Sequence, residues 1–193
     1  MSVDQQCLRQ RLRAIARESD WFMQALESVR SLQLDSWCIG AGAVRNLVWD
    51  HLHGYATPSP IADVDVAYFD DADLRPETEQ ALQALLCARH PGTPWEVTNQ
   101  AWVHLWFEGR FGHRVAPLRS LEDAVASWPE FATSVGIKLQ EDSEIEVIAP
   151  HGLEDLFSMV VRRNPARVSV ETYRNRVAEK RYLQRWPRVQ IVG

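Results

Sequence analysis

The period of the apolar positions changes several times along the chain, and each change marks an element. Between residues 5 and 30, Leu8, Leu12, Ile15, Phe22, Leu26 and Val29 recur at three- and four-residue multiples, the spacing of one or two amphipathic helices broken near Ser19-Asp20. Ser36 to Ile39 reads as a short buried strand that runs into Gly40-Ala41-Gly42, and Ala43 to His51 returns to helical spacing through Val44, Leu47 and Val48. Residues 53–62, with Gly54, Pro58 and Pro60, form a loop. From Ala62 to Phe69 acidic and apolar residues alternate, as they do along a strand whose two faces differ.

Pro76 suits a helix start, and Leu82, Leu85 and Leu86 carry that helix toward Pro91-Gly92. A strand is predicted at Trp95 to Thr98. From Asn99 to Phe107 the periods conflict and the segment takes no assignment. Leu121 to Trp128 has helical spacing, and Ser134 to Leu139 with Glu144 to Ile148 predicts a hairpin around Glu141-Asp142-Ser143. Helices are predicted again at Leu153 to Arg162 and Val170 to Gln184. The fold class is therefore α/β (α+β), a small mixed sheet flanked by helices. It is read as one domain over residues 1–193, with N-terminal helices in 1–30, a core in 37–150 and C-terminal helices in 151–193.

Composition narrows this picture. The chain has 193 residues, of which 46% are hydrophobic and 24% charged, enough to bury a core without disulfide or metal staples. Cys7, Cys38 and Cys87 are odd in number and widely spaced, which argues against a disulfide framework or a zinc finger and for a reducing cytoplasm. No apolar run approaches the roughly 18 residues of a membrane span, and the N-terminus lacks the pattern of a signal peptide. The formal charge of -5 does not suggest a general nucleic-acid coat. That charge is uneven, since residues 162–188 hold nine Arg or Lys against two Glu.

Candidate chemistry concentrates between Cys38 and Asp70. The turn Gly40-Ala41-Gly42 lets backbone approach a ligand closely, and the free N–H groups of the following helix start at Ala43 to Arg45 favour an anion such as phosphate. On a strand, Asp63 and Asp65 share one face with Cα atoms roughly 6.6 Å apart, two strand rises. Two carboxylates so close are tolerable around a divalent cation, and hard oxygen ligands suit Mg²⁺ shared with substrate phosphates. Glu96, on the next predicted strand, supplies a third acid for a second ion or for the proton of an attacking hydroxyl. The rival reading is a Rossmann dinucleotide turn with Asp63 as its ribose acid; Arg45 occupies the position of the third glycine, and such a site has no use for a second alternating acid.

The stretches G-A-G-A-V-R-N-L-V-W-D, D-V-D-V-A-Y-F-D, W-E-V-T-N-Q-A-W-V-H-L-W, S-L-E-D-A-V-A-S-W-P and G-L-E-D-L-F resemble the nucleotidyltransferase superfamily typified by DNA polymerase beta. More closely they resemble a bacterial nucleotidyltransferase-like family of about this length with undefined substrates. The resemblance runs from Trp37 to Arg162. It implies that Gly40, Ala41 and Gly42 line the phosphate side, that Asp63, Asp65 and Glu96 are the metal triad, and that Mg²⁺ or Mn²⁺ and a nucleoside triphosphate are cofactor and donor. Arg45, Asn46, Asn99 and Gln100 are the further candidates for nucleotide contact. The spacing from Gly42 to Asp63 is longer than the superfamily's, so the loop at 51–62 is read as an insertion. A binding or regulatory module that keeps the fold and transfers nothing is the alternative. The arginine-rich segment 162–188 is expected to dock an apolar face through Val170, Tyr173 and Val177 and to steer a triphosphate with the arginines nearest the site. A small-molecule or protein acceptor is thereby favoured over nucleic acid, with no membrane partner.

Overall fold

The computed structural model describes residues 3–166 and 168–193. Two helices open the chain, α1 (Val3–Arg17) and α2 (Asp20–Arg30), parted at Ser19-Asp20 as the spacing predicts. Strand β1 (Trp37–Gly40) passes directly into α3 (Ala41–His53), and β2 (Val64–Tyr68), α4 (Pro76–Arg89) and β3 (Trp95–Asn99) follow as a parallel crossover unit. After a 3₁₀ turn at Gln100–Trp102 come α5 (Val103–Phe111), α6 (Leu121–Ala126), a second 3₁₀ turn at Phe131–Thr133, and the hairpin β4 (Gly136–Leu139) and β5 (Ile145–Ile148). The chain closes with α7 (Glu154–Phe157), β6 (Val160–Arg162), α8 (Val170–Lys180), α9 (Tyr182–Arg185) and β7 (Gln190–Val192).

Five strands form one mixed sheet in the order β3-β2-β1-β4-β5, parallel only between β2 and β3. Alternation along the strands sorts its two faces. Trp37 and Ile39 of β1, Val64, Val66 and Tyr68 of β2, and Trp95 and Val97 of β3 enter the large core with Leu12, Phe22, Leu26, Val44 and Val48 of α1–α3. Cys38 and Ala67 point the other way, where Leu121 and Val125 of α6 cover them. Asp65 and Glu96 fall on this second, thinly covered face.

Side chains from helices close both edges of the sheet. On β3, the N–H of Val97 donates to Gln83 Oε1 at 3.1 Å and that of Asn99 to Glu79 Oε1, both on α4. On β5, the carbonyl of Ile145 accepts from Arg13 Nε at 2.8 Å and that of Val147 from Arg9. Edge backbone that would otherwise seek another strand is satisfied locally.

Two predicted helices differ. Leu153 to Arg162 contains only one helical turn: Met159, at φ 55°, reverses the chain, and the β-branched Val160-Val161 pairs parallel with β7 instead. Tyr173 clamps this small sheet by donating to the Val161 and Val192 carbonyls, at 2.9 and 2.8 Å. Val170 to Gln184 is cut at Arg181, whose φ of 48° separates α8 from α9. The unassigned segment after Asn99 becomes the 3₁₀ turn and α5, begun by the Asn99 side chain accepting the Ala101 N–H at 3.1 Å. Residues 54–61 form an ordered loop: buried Asp50 accepts from the Ser59 N–H and hydroxyl at 2.7 and 2.6 Å, and Arg185 and Tyr55 tie the loop to α9.

Candidate functional site

On the open face of the sheet lies a cavity of about 270 Å³ whose walls carry opposite charges. Asp63, Asp65 and Glu96 border it on the β2–β3 side; Arg45, Arg176 and Lys180 border it from α3 and α8. Asp63 immediately precedes the paired part of β2, and Asp65 pairs in register with Glu96. The alternation read from the sequence therefore brings all three acids to one place.

Electrostatics there are unbalanced. Burial pushes the Asp65 carboxyl up to about 7, with Asp63 and Glu96 adding to the rise, while Lys180 and the donated N–H of Gly42 pull it back. Among the described residues no cation lies within 4.0 Å of any of the three acids. The donor set is all hard oxygen and short of positive charge, which fits Mg²⁺ or Mn²⁺. No three His, Cys, Asp or Glu side chains among the described residues form a ready-made cage for an ion. Mg²⁺ requires none, since it is held by one or two carboxylates with water and substrate phosphate completing its shell.

The cationic wall is built differently at each residue. Arg176 is spoken for: its Nε lies 3.1 Å from Glu130 Oε1, and Glu130, 1% exposed, also accepts from the Thr133 hydroxyl at 2.9 Å. Arg45 is 4% exposed and has no carboxylate partner among the described residues. Its guanidinium sits among the rings of Trp49, Tyr182 and Trp186, with centroids 5.6, 5.1 and 5.5 Å away, and Nη2 donates to Asn46 Oδ1 at 2.7 Å. Arg45 Nε is buried without an acceptor among the described residues. Trp186 is in turn fixed by its Nε1–H donating to Asp50 at 2.7 Å. Burial raises the Tyr182 hydroxyl to about 12, with Arg45 opposing that rise, so the phenol faces the guanidinium as a neutral group. The break at Arg181 lets Lys180 face the cavity while Tyr182 enters this aromatic box.

The glycine turn divides its tasks. Ala41 and Gly42 line the cavity, with Ala41 held at φ 49°, a left-handed conformation unusual for a residue with a Cβ. Gly40 lies behind them, where a Cβ would stand 2.3 and 2.4 Å from the Trp128 ring. Like Gly40, two further predicted contacts are not brought to the cavity. Asn46 supports Arg45 from behind, and Asn99, 1% exposed, spends its amide on backbone: Nδ2 donates to the carbonyls of Asp70 and Asp73 at 2.7 and 2.9 Å and Oδ1 accepts from the Asp70 N–H at 3.1 Å. Its neighbour Gln100 borders the cavity instead.

Trp128 and Thr133, also at the cavity, carry no periodic or motif signal that marks them individually; Trp128 falls within the quoted S-L-E-D-A-V-A-S-W-P stretch. Of the arginine-rich segment, Arg176 and Lys180 reach the cavity. Arg162 pairs with Asp155, Arg163 donates to the Val168 carbonyl, Arg185 to that of Pro60 and Arg188 to that of Leu52. Arg167 lies outside the described residues. No helix among the described residues is long and apolar enough to cross a membrane.

Comparison with known proteins bears on the fold and the family. A protein whose NMR structure is described as revealing a CCA-adding enzyme head domain superposes with a TM-score of 0.81 at 30% identity, covering 95% of each chain. Two structures of tRNA-processing enzymes, one an apo form and one a complex, share the fold alone at 16% identity. Their TM-scores are 0.50 and 0.51; this chain is covered over 96% and 86%, and spans 44% and 42% of theirs. No curated protein matches the chain in sequence. The model of the Nucleotidyltransferase family matches residues 27–191, and the chain belongs to that family.

Proposed function

We propose that this protein transfers a nucleoside monophosphate from a nucleoside triphosphate to a hydroxyl of its acceptor, with Asp63, Asp65 and Glu96 holding Mg²⁺ or Mn²⁺. The observation that carries this reading is the cavity in which three carboxylates, without a counter-ion among the described residues, face Arg45 and Lys180, two cations without a carboxylate among them. The ion, when bound, neutralises triphosphate charge and polarises the α-phosphate. Arg45 and Lys180 hold the β- and γ-phosphates and stabilise the charge that gathers on leaving pyrophosphate. Gly42 offers a wall without a side chain, so phosphate oxygens approach backbone closely. Glu96, on the outer strand of the pair, is positioned to take the proton of the attacking hydroxyl.

The acceptor is a small molecule or a protein group. Much of the basic segment is consumed by internal bonds, leaving no continuous track for a polyanion among the described residues. Because the structures that share this fold include tRNA-processing enzymes, tRNA is the polyanion against which this reading is checked. Incubation with each α-labelled nucleoside triphosphate, Mg²⁺ or Mn²⁺ and a cell extract should yield one labelled product. Absence of product with the wild type favours the non-catalytic nucleotide-binding module of the same fold, and undiminished product with Asp65→Asn removes Asp65 from the metal-holding set.

A further inference from the structure

The cavity does not end at the carboxylates. A second lobe, also about 270 Å³, adjoins the first across a shared wall that includes Asp65, Glu96, Thr98, Gln100, Trp128 and Arg176. Its own lining is of another kind. Val103, Trp106 and Phe107 of α5 and Val168 supply apolar surface, with Thr172 as a hydroxyl near one end. Trp106 and Phe107 lie nearly parallel, at 30° with centroids 6.2 Å apart, and Phe107 meets His113 edge-on at 5.3 Å.

Charge divides the two lobes. Arg45 and Lys180 border only the first. Among the described residues the second has one permanent cation, Arg176, which is already paired with buried Glu130, whereas Asp65 and Glu96 stand at its mouth. Among the described residues, a phosphate entering there meets two carboxylates and no unpaired arginine or lysine. A flat, uncharged ring meets Trp106 and Trp128. The volume is below the roughly 300–1,000 Å³ of pockets for drug-sized ligands, so the occupant is small.

In-line displacement fixes the relation between the lobes. The entering oxygen must approach the α-phosphorus opposite the departing pyrophosphate, so pyrophosphate in the first lobe places the incoming hydroxyl in the second. Resting on the nucleotidyl-transfer reading above, we propose that the second lobe is the acceptor site and that the acceptor is an uncharged or cationic small molecule bearing a planar ring and a hydroxyl. An electron pair of that hydroxyl oxygen forms the new bond to the α-phosphorus. The bond from the α-phosphorus to its bridging oxygen breaks, and its electrons leave with pyrophosphate. The hydroxyl proton passes to Glu96 or Asp65 and then to water.

Two probes separate this proposal from the reading on which it rests. 4-Methylumbelliferyl glucoside, neutral, planar and hydroxylated, should quench tryptophan fluorescence saturably, and 4-methylumbelliferyl phosphate should bind at least tenfold more weakly. Trp106→Leu should weaken the glucoside at least tenfold, and Lys180→Ala should leave it unchanged. The α,β-methylene analogue of ATP, titrated calorimetrically with Mg²⁺, should show the reverse sensitivity. Circular dichroism and thermal melting establish that both variants are folded, with Trp106→Phe as the substitute if the leucine variant is not. Saturable glucoside binding that ignores Trp106, absence of glucoside binding to the wild type, or loss of ATP-analogue affinity in the Trp106 variant equal to that in the Lys180 variant overturns the acceptor assignment. In the last case the nucleotide's own base occupies the lobe. Failure of the ATP analogue to bind the wild type refutes the transfer reading alone, and the glucoside result still judges the lobe.

Discussion

Asp65 and Glu96 stand opposite one another across the parallel β2–β3 ladder, two acids in register on the thinly covered face of the sheet. Like charges directly opposite destabilise a strand pair. With Asp63 beside them and burial added, the fold keeps a proton on Asp65 up to about pH 7. Such local cost at a functional site, offset by the core around it, is the usual trade between stability and activity.

Metal-free stability should therefore fall as pH rises. Because the folded pKa of Asp65 lies above its unfolded value of 3.8, the native state binds more protons than the unfolded chain between about pH 4 and 7. The stabilising contribution is present below that window and is lost through it. Asp65→Asn removes the dependence, so in EDTA the variant should melt higher than wild type at pH 8, by about 1–3 kcal/mol in stability, with the gap narrowing toward pH 5. Mn²⁺ affinity, followed by electron paramagnetic resonance, should collapse in the same variant. A melting gap independent of pH would refute the electrostatic account.

Gly42→Val should separate binding from folding. A Cβ there lies 3.7 Å from both Arg45 Nη2 and Asp63 Oδ1, ordinary contact distances, so the empty protein tolerates it. The added methyl groups fill the gap between the cationic and anionic walls. Calorimetry with the α,β-methylene ATP analogue should register at least a tenfold loss of affinity at a melting temperature within about 4 °C of wild type, the equivalent of ~1 kcal/mol or less. Full affinity in the folded variant would put the phosphates elsewhere.

Two residues earlier the same kind of change should have the opposite character. Gly40→Ala forces a methyl group to within 2.4 Å of the Trp128 ring and 3.0 Å of the Val135 carbonyl oxygen, so the indole must move. Urea titration should show destabilisation of about 1–3 kcal/mol, the ordinary cost of overpacking, together with a changed tryptophan emission maximum. Unchanged stability would mean that the indole swings aside freely.

Electrophoretic mobility-shift titrations with single-stranded DNA, RNA and tRNA test the acceptor class from the polyanion side. Non-specific phosphate contacts fade steeply with salt, so only weak binding confined to low salt is expected. Micromolar tRNA binding that persists at ~150 mM salt would replace the small-molecule or protein acceptor with nucleic acid.

Much of this was legible in the sequence because it depends on period and local chemistry. Strict alternation through Asp63 and Asp65 reports one strand face, and Pro76 and the Gly40-Ala41-Gly42 turn report element boundaries. Arg45 was visible as a residue, but its aromatic box was not: Tyr182 and Trp186 come from the far end of the chain, and no local pattern encodes that meeting. Asn99 misleads for the reverse reason. An amide following an acidic strand suits ligand contact as well as it suits the turn at residues 70–73, and only the long-range hydrogen bonds decide. The breaks at Met159 and Arg181 depend on left-handed backbone in residues that rarely adopt it, so composition gave no warning.

The closure of the sheet by Glu79 and Gln83 at one edge and Arg9 and Arg13 at the other ties solubility to the site. Any opening that lifts α4 away bares the main-chain amides of β3, the strand that also carries Glu96. A single local opening would thus disarm the carboxylate cluster and offer a template for intermolecular strand addition. Inactivation and self-association on storage should then share one onset temperature, and a ligand that steadies β3 from the cavity would delay both.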